Sequence, residues 1–466
     1  MRLLTAVDQL FLILESRKQP MHVGGLFLFE LPEDAQGAEH NFVYELVKQM
    51  QNSEVPPSFP FNQVLENLIF WKEDKHFDVE HHFHHVALPK PARVRELLMY
   101  VSREHGRLLD RAMPLWECHV IEGVQPDTED GPERFALYFK IHHSLVDGIA
   151  AMRLLQKTLS QSPTETVTLP VWSLVARHRN QINAASPAKR SAFGIVKEQL
   201  STIKPVFTEL MDNLKNYGDD DYVGTFDAPM SILNKRISAS RRIAAQSYDI
   251  KRFHDIADKL EVSRNDVVLA VCAGAIRRYL ISMKALPTKP LIAFVPMSLR
   301  SDNSTAGNQL SFVLANLGTH LDDPMRRMKL IHRSMNNGKR RFRRMTQAQV
   351  INYSAIAYAW EGINLATGLF PKKQAFNLII SNVPGSEKPL YWNGARLQAL
   401  YPASVVFNGQ AMNITLASYL DKIEFGITAC SKTLPHVQDM LLLIEEELQL
   451  LERTSNELPS GLGLRD

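Results

Sequence analysis

At 466 residues the chain is too long for one ordinary hydrophobic core; length alone suggests about two to three domains, and we read two. Hydrophobic residues at 45% and charged residues at 22% are ordinary for a soluble globular protein, and 53 basic against 50 acidic residues, a net +3, give no global case for nucleic acid. Cys118, Cys272 and Cys430 are far apart inside apolar stretches, with no C-x-x-C pair, so they read as buried thiols in a reducing compartment. Asp8 interrupts what would be a signal peptide's apolar core. The apolar run from 267 to 276 is far short of a membrane span. The expectation is a cytosolic protein that meets a membrane only at its surface.

In chain order, residues 6 to 14 show helical spacing and residues 21 to 29 read as a strand, in which His22 is read as a packed or capped histidine, with a ring facing the active site as the alternative. Residues 41 to 52 look helical, and Pro56-Pro57 opens an irregular segment. Residues 81 to 85 hold four histidines around Phe83. Alternation on a strand sends His82 and His84 to one face and His81 and His85 to the other, so these four cannot converge on one metal ion. An amphipathic helix over 93 to 109 precedes a strand starting at 113 to 116. The acidic stretch from 127 to 133 is a solvated hairpin loop, and 135 to 141 is a short apolar run of β-forming residues, expected to be a buried strand.

That strand runs into His142-His143-Ser144-Leu145-Val146-Asp147-Gly148, after which Ile149, Met152, Leu155 and Leu159 recur at helical spacing. Asp147 stands where a helix N-cap belongs, and Gly148 lets the backbone pass close to its neighbours. The histidines therefore leave the end of a strand. Neutral imidazole takes a proton near pH 7, which suits activation of a hydroxyl or amine attacking a carbonyl; in this reading His143 is the base and His142 supports it. The bland alternative is a pair of ordinary strand-end histidines. Ser144 beside His143 is not a serine-hydrolase nucleophile, because the chain holds no G-x-S-x-G elbow and sequence neighbours do not easily form the required hydrogen bond. Cys118 beside His119 reads as core packing for the same reason.

Residues 160 to 166 and 184 to 190 have linker composition, with a helical segment over 192 to 216 between them and Gly218-Asp-Asp-Asp221. The second half alternates helices (250 to 260, 265 to 280, 325 to 367, 435 to 451) with strands (290 to 296, 311 to 318, 376 to 382, 411 to 419, 422 to 428). Asn265-Asp266 opens a helix, where backbone N–H groups and an amide can stabilise negative charge, or where the pair is simply a cap. Ser381 and Asn382 follow a strand and are candidates for lining a cleft between domains. Arg300 and the basic run 339 to 344 are candidates for the phosphates of coenzyme A or for anionic headgroups, with a solvated helix face as the alternative. Residues 351 to 370, with Tyr353, Tyr358 and Trp360, suit an acyl tunnel, a bilayer surface or a core helix.

Residues 142 to 148 match the H-H-x-x-x-D-G signature of acyltransferases with the chloramphenicol-acetyltransferase-like fold. The chain more closely resembles the bacterial wax ester synthase/diacylglycerol acyltransferase family, through 109 to 117 (LDRAMPLWE), 265 to 270 (NDVVLA), 295 to 300 (VPMSLR), Gly307-Asn308 and 381 to 385 (SNVPG). It departs from that family at Ser386, where proline is usual. The resemblance implies an α/β protein of two chloramphenicol-acetyltransferase-like domains, with mixed sheets flanked by helices and the active site at the domain interface. We place the domains at 1–161 and 226–466, with a crossover over 162–225. It also implies transfer of a long-chain acyl group from acyl-CoA to a fatty alcohol, diacylglycerol or both, by direct attack with His143 as base. Asp147 would be architectural, pointing away from substrate and holding the loop through an arginine, while Asn265, Asp266 and Gly148 would support the site. No cofactor beyond the acyl-CoA substrate and no metal are expected, nor any nucleic-acid partner. Peripheral association with the inner membrane or lipid inclusions is. Competing readings are a condensation-type transferase using carrier-bound thioesters and a catalytically silent lipid-droplet-binding protein.

Overall fold

The structure is a computed structural model that describes residues 2–4, 6–67, 69–146, 148–167, 169–173, 227–298, 310–343 and 374–457. In its first half lie β1 (Arg2–Leu3), α1 (Ala6–Leu14), β2 (His22–Glu30), α2 (Glu39–Gln51), β3 (Gln63–Glu66), β4 (Phe70–Glu73), β5 (Phe83–Ala87), α3 (Val94–His105), β6 (Trp116–Val124), β7 (Arg134–His142) and α4 (Gly148–Lys157). The second half holds β8 (Arg241–Asp249), α5 (Ile250–Leu260), α6 (Arg264–Ser282), β9 (Ile292–Ser298), β10 (Leu310–Asn316), α7 (Pro324–Arg343), β11 (Leu378–Val383), β12 (Tyr391–Trp392), β13 (Ala395–Ala403), β14 (Met412–Tyr419), β15 (Lys422–Cys430) and α8 (Asp439–Glu457).

Two six-stranded mixed sheets carry the fold, in the orders β12-β13-β2-β7-β6-β5 and β10-β9-β11-β14-β15-β8; β1, β4 and β3 form a small separate sheet. In the first sheet β2 and β7 run antiparallel from His22↔His142 to Glu30↔Arg134. Both strands read as continuous apolar runs because both faces are covered. Phe27, Phe29, Phe135 and Phe139 pack in one cluster with Val43, Leu46 and Met50 of α2. Leu26, Leu28 and Tyr138 pack on the other side with Leu97 and Val101 of α3. Helix α3 also reaches the second sheet, where Ile243 of β8 joins its cluster and donates its backbone N–H to Ser102 Oγ at 2.8 Å. Behind the second sheet, α5, α6, α7 and α8 form a helical layer built on Val267, Val271, Ile331, Ile444 and Leu448.

The expected break between halves is not a break between sheets. Strands β12 and β13 come from the second half, yet β13 pairs with β2 through Ala403↔Gly24. The first sheet is therefore completed by residues some 370 positions beyond β2 along the chain, and residues 174–225 of the expected linker lie outside the described residues. At the contact between sheets, a Cβ on Gly426 of β15 would sit 1.9 Å from the Pro402 carbonyl oxygen of β13. Only glycine lets these backbones approach so closely.

Most expected elements of the first half appear, including the hairpin loop between β6 and β7. The short strands β1, β3, β4 and β12 were not expected, nor were the longer β8 and β13. RRIAAQSYD and ARLQALYPA lack clean alternation, and it is their neighbours across the two sheets that make them strands. Helix α7 ends at Arg343 in the described residues, and the expected continuation to 367 lies outside them.

Candidate active site

Strand β7 ends at His142, and the chain turns at once. His142 N–H donates to Leu115 O at 2.9 Å and His143 N–H donates to Met21 O at 2.8 Å, so both histidine backbones are tied to other segments of the first half. The His142 ring is fully buried; its Nδ1 accepts the Ser144 N–H at 3.2 Å and lies 2.6 Å from Ser144 Oγ. With Nδ1 accepting, Nε2 carries the proton. That nitrogen faces Glu15 Oε1 at 3.3 Å, an ion-pair distance without good hydrogen-bond alignment.

Glu15, the residue after α1, is the centre of this arrangement. Its Oε1 accepts the Met21 N–H at 3.1 Å, and its Oε2 accepts both Nε and Nη2 of Arg111, at 3.2 and 3.0 Å. Burial alone would raise its pKa. His142 chiefly, then the Met21 N–H and Arg111, outweigh burial and hold it below the usual carboxylate value. The carboxylate is thus ionised, and it fixes Met21, whose carbonyl in turn holds the His143 backbone. His143 is half-buried, and its ring stacks on Phe11 of α1 with centroids 4.3 Å apart and planes at 20°. The arrangement presents one imidazole at the end of a strand while fixing its neighbour's tautomer and backbone.

Neither Glu15 nor Phe11 was a candidate from sequence. The only signal was an acid placed directly after an apolar helix, whose meaning depends on Arg111 and His142 coming to it from about 100 residues away.

Other candidates separate. Asp147 and Arg300 lie outside the described residues. Gly148 is the first residue of α4, but an added Cβ would meet Val23 Cγ1 at an ordinary 3.9 Å, so the expected close backbone approach is absent there. Ser263, not Asn265 or Asp266, caps α6: its Oγ accepts the Asp266 N–H at 3.2 Å, and Asp266 Oδ2 accepts the Ser263 N–H at 3.1 Å. Asp266 is buried and also pairs with His332 Nδ1 of α7 at 2.9 Å, which ties two helices of the second half together. Asn265 is half-buried in the first turn of α6.

Ser381 is half-buried and Asn382 exposed near the end of β11. The loop beyond them turns tightly at Gly385, where a Cβ would fall 1.8 Å from Ser418 O and 3.4 Å from Gln156 Nε2 of α4. This brings 381–385 to the helix that follows the histidine motif. Ser386, in the family's usual proline position, closes the turn by donating to Lys388 O at 2.9 Å and accepting the Lys388 N–H at 3.1 Å.

His22 is packed, as expected: Nε2 bonds to His105 O at 2.9 Å, and burial drives its pKa well below the usual imidazole value. The four histidines of 81 to 85 do scatter. His82 is buried between Phe77 and Trp116, with Nδ1 on Trp116 O at 2.9 Å; His81 faces Asp78 and His85 faces Glu122. His84, however, meets Glu117 and His119 of the adjacent strand, with their ligand atoms all within 4.8 Å. The donor types suit a transition metal. Lys140 Nζ already holds Glu117 Oε2 at 2.9 Å, and Tyr100 OH holds His119 Nδ1 at 2.9 Å. A buried ammonium thus occupies the charge position a cation would take. Cys118 is buried, and burial pushes its thiol pKa up, the state of an inert core cysteine.

Two mixed sheets, one completed by strands from the other half, with a histidine pair at the end of a central strand, define an acyltransferase of the chloramphenicol-acetyltransferase-like class. Condensation and cyclization domains of peptide synthetases share this fold: the rhizomide synthetase starter condensation domain superposes with a TM-score of 0.54 at 10% identity, and a cyclization-docking bidomain from Sorangium cellulosum with 0.57 at 12%.

Residues 4–268 match the wax ester synthase/diacylglycerol acyltransferase catalytic domain, and 306–452 match the family's C-terminal domain. The chain belongs to the wax ester synthase/diacylglycerol acyltransferase family. It is 51% identical over 455 residues to the O-acyltransferase WSD of Acinetobacter baylyi, covering 97% of both chains. It is 41% identical over 464 residues to a putative diacylglycerol O-acyltransferase of Mycobacterium tuberculosis, covering 97% of this chain and 99% of that one. The solved wax ester synthase/diacylglycerol acyltransferase of Marinobacter aquaeolei VT8 superposes with a TM-score of 0.79 at 41% identity, over 98% of this chain and 100% of that one.

Proposed function

We propose that the protein transfers a long-chain acyl group from acyl-CoA to the hydroxyl of a fatty alcohol, a diacylglycerol or both, with His143 as general base. The carrying observation is the chain of contacts from Arg111 through Glu15 to His142 and Met21. It fixes the segment bearing His143 in a chain of this family. The acceptor O–H gives its proton to the imidazole as its oxygen attacks the thioester carbonyl. The tetrahedral intermediate collapses, the C–S bond breaks, and the coenzyme A thiolate leaves and takes the proton back from the imidazolium. Ester and free thiol are the products; atoms and charge balance with no further cofactor. Positioned proton transfer of this kind is worth about 10²- to 10⁴-fold in rate.

A chain of sixteen carbons offers on the order of 11 kcal/mol of burial at ~0.8 per methylene, so apolar contact would dominate acyl binding. Both acceptors reside in lipid phases, and no helix among the described residues is long and apolar enough to cross a membrane. Peripheral association with a membrane or lipid inclusion from the cytoplasmic side fits both facts.

The test is thiol release from palmitoyl-CoA by purified protein, with hexadecanol, with a diacylglycerol and with neither. Acceptor-dependent release, lost in His143→Ala, is expected. Release without acceptor would indicate a thioesterase, and no release would favour a carrier-bound donor or a binding protein.

A further inference from the structure

We propose that the outward face of α1, with the loops that abut its two ends, is the surface by which the protein rests on a lipid phase holding the acceptor. The inference rests on the acyl-transfer reading and specifies where that reaction meets its insoluble substrate. Leu3, Leu10 and Ile13 are 62, 44 and 75% exposed. Leu10 and Ile13 stand three residues apart and so share one helix face. Leu4 N–H donates to Ile69 O at 2.9 Å, which brings the exposed Ile69 beside the segment that leads into the helix. Arg111 Nη2 donates to Leu12 O at 2.6 Å, which brings the loop of the exposed Leu108 to its other end.

Single exposed apolar side chains need no explanation, but these gather on and around one short helix. The helix's opposite side is the candidate site: Phe11 stacks on His143, Leu12 lies in the core, and Glu15 holds His142. One helix therefore separates the proposed base from the apolar face. The rim favours a lipid phase over a protein partner. Arg17 and Lys18, both exposed, follow the helix directly, so the apolar face is bordered by charge complementary to anionic headgroups. Seated this way, α1 places His143 within one helix's thickness of the phase that dissolves a long-chain alcohol or diacylglycerol.

The experiment uses the full chain, vesicles of phosphatidylcholine with and without phosphatidylglycerol, and two acceptors: diacylglycerol in those vesicles and hexanol dissolved in water. The variants are Leu10→Gln/Ile13→Gln, Ile13→Gln alone and Arg17→Gln/Lys18→Gln. Wild type is expected to co-sediment, more strongly with the anionic vesicles. The double apolar variant should lose at least about tenfold in partitioning and a similar factor in transfer to vesicle-borne diacylglycerol. It should keep its melting temperature and its transfer to hexanol. Ile13→Gln should lose an intermediate amount, which preserves the test if the double variant misfolds. Arg17→Gln/Lys18→Gln should erase the preference for anionic vesicles. Wild-type protein that ignores vesicles, or apolar variants that sediment like wild type, would overturn the docking face. Vesicle binding that depends on Leu10 and Ile13 without transfer to any acceptor would support the docking face and overturn the acyl-transfer reading.

Discussion

Replacing Glu15 by alanine tests whether the histidine motif is held from outside its own segment. The side chain is 2% exposed, and its removal leaves the Met21 N–H without its acceptor and takes the carboxylate away from His142 Nε2, 3.3 Å distant. An unpaired buried donor costs about 1–3 kcal/mol of stability, so the loss at Met21 costs about that much, at the lower end if water enters the gap. Arg111 is 38% exposed and can turn to solvent, which adds at most about 1 kcal/mol. The effect on rate is larger than the effect on binding. Met21 is free to shift, its carbonyl carries the His143 backbone, and a displacement of ~1 Å at a reacting group costs about 10²-fold. Steady-state kinetics of thiol release should therefore show kcat falling by about 10²-fold in Glu15→Ala with KM little changed, and partial rescue in Glu15→Gln, which keeps one acceptor oxygen. A Glu15→Ala variant with wild-type kcat would refute the positioning argument. Because the folded pKa of Glu15 is depressed, its stabilisation is present above the unfolded value near 4.5 and is lost as pH falls below it. The variant and wild type should thus converge in stability under acid conditions.

His143→Ala should lower kcat by about 10²- to 10⁴-fold while leaving the melting temperature nearly unchanged, since the ring is half-buried; a variant that keeps full turnover would exclude this imidazole as base. Gly274→Ala in α6 would put a Cβ 1.9 Å from Glu447 Oε2 and 2.8 Å from Arg327 Nη2, forcing apart a buried pair that bonds at 2.7 Å. Breaking such a pair costs about 3–5 kcal/mol against about 1 kcal/mol gained in helix propensity, so urea unfolding should show a net loss of about 2–4 kcal/mol. Glu424 of β15 is buried beside Ser247 and Tyr401, and burial pushes its pKa up to about 7 despite the Ser247 hydroxyl it accepts. A carboxyl whose folded pKa exceeds its unfolded value near 4.5 costs stability as pH rises between the two. Glu424→Gln should gain on wild type across that window, by on the order of 3 kcal/mol at most above pH 7, and match it below pH 4.5.

What sequence alone determined was local. Residues 135 to 141 and 21 to 29 are strands because apolar runs buried on both faces admit few other placements, and the turn at 142 to 144 follows where the run ends. The four histidines of 81 to 85 do scatter, but not by strand alternation as expected: strand β5 begins at Phe83, and His81 ends a 3-10 turn ahead of it. Strand β13 shows what could not be read: ARLQALYPA is neither alternating nor strongly β-forming, and only pairing with β2, some 370 residues earlier, makes it part of the first sheet. The site divides the same way. A seven-residue motif marks His142 and His143, because the chemistry of a strand-end imidazole depends on adjacent residues. Glu15 and Phe11 carry no motif of their own. Their roles exist only once the fold brings Arg111, Met21, His142 and His143 to the end of α1, because a buried carboxylate is set by the donors around it and those donors come from three separate segments.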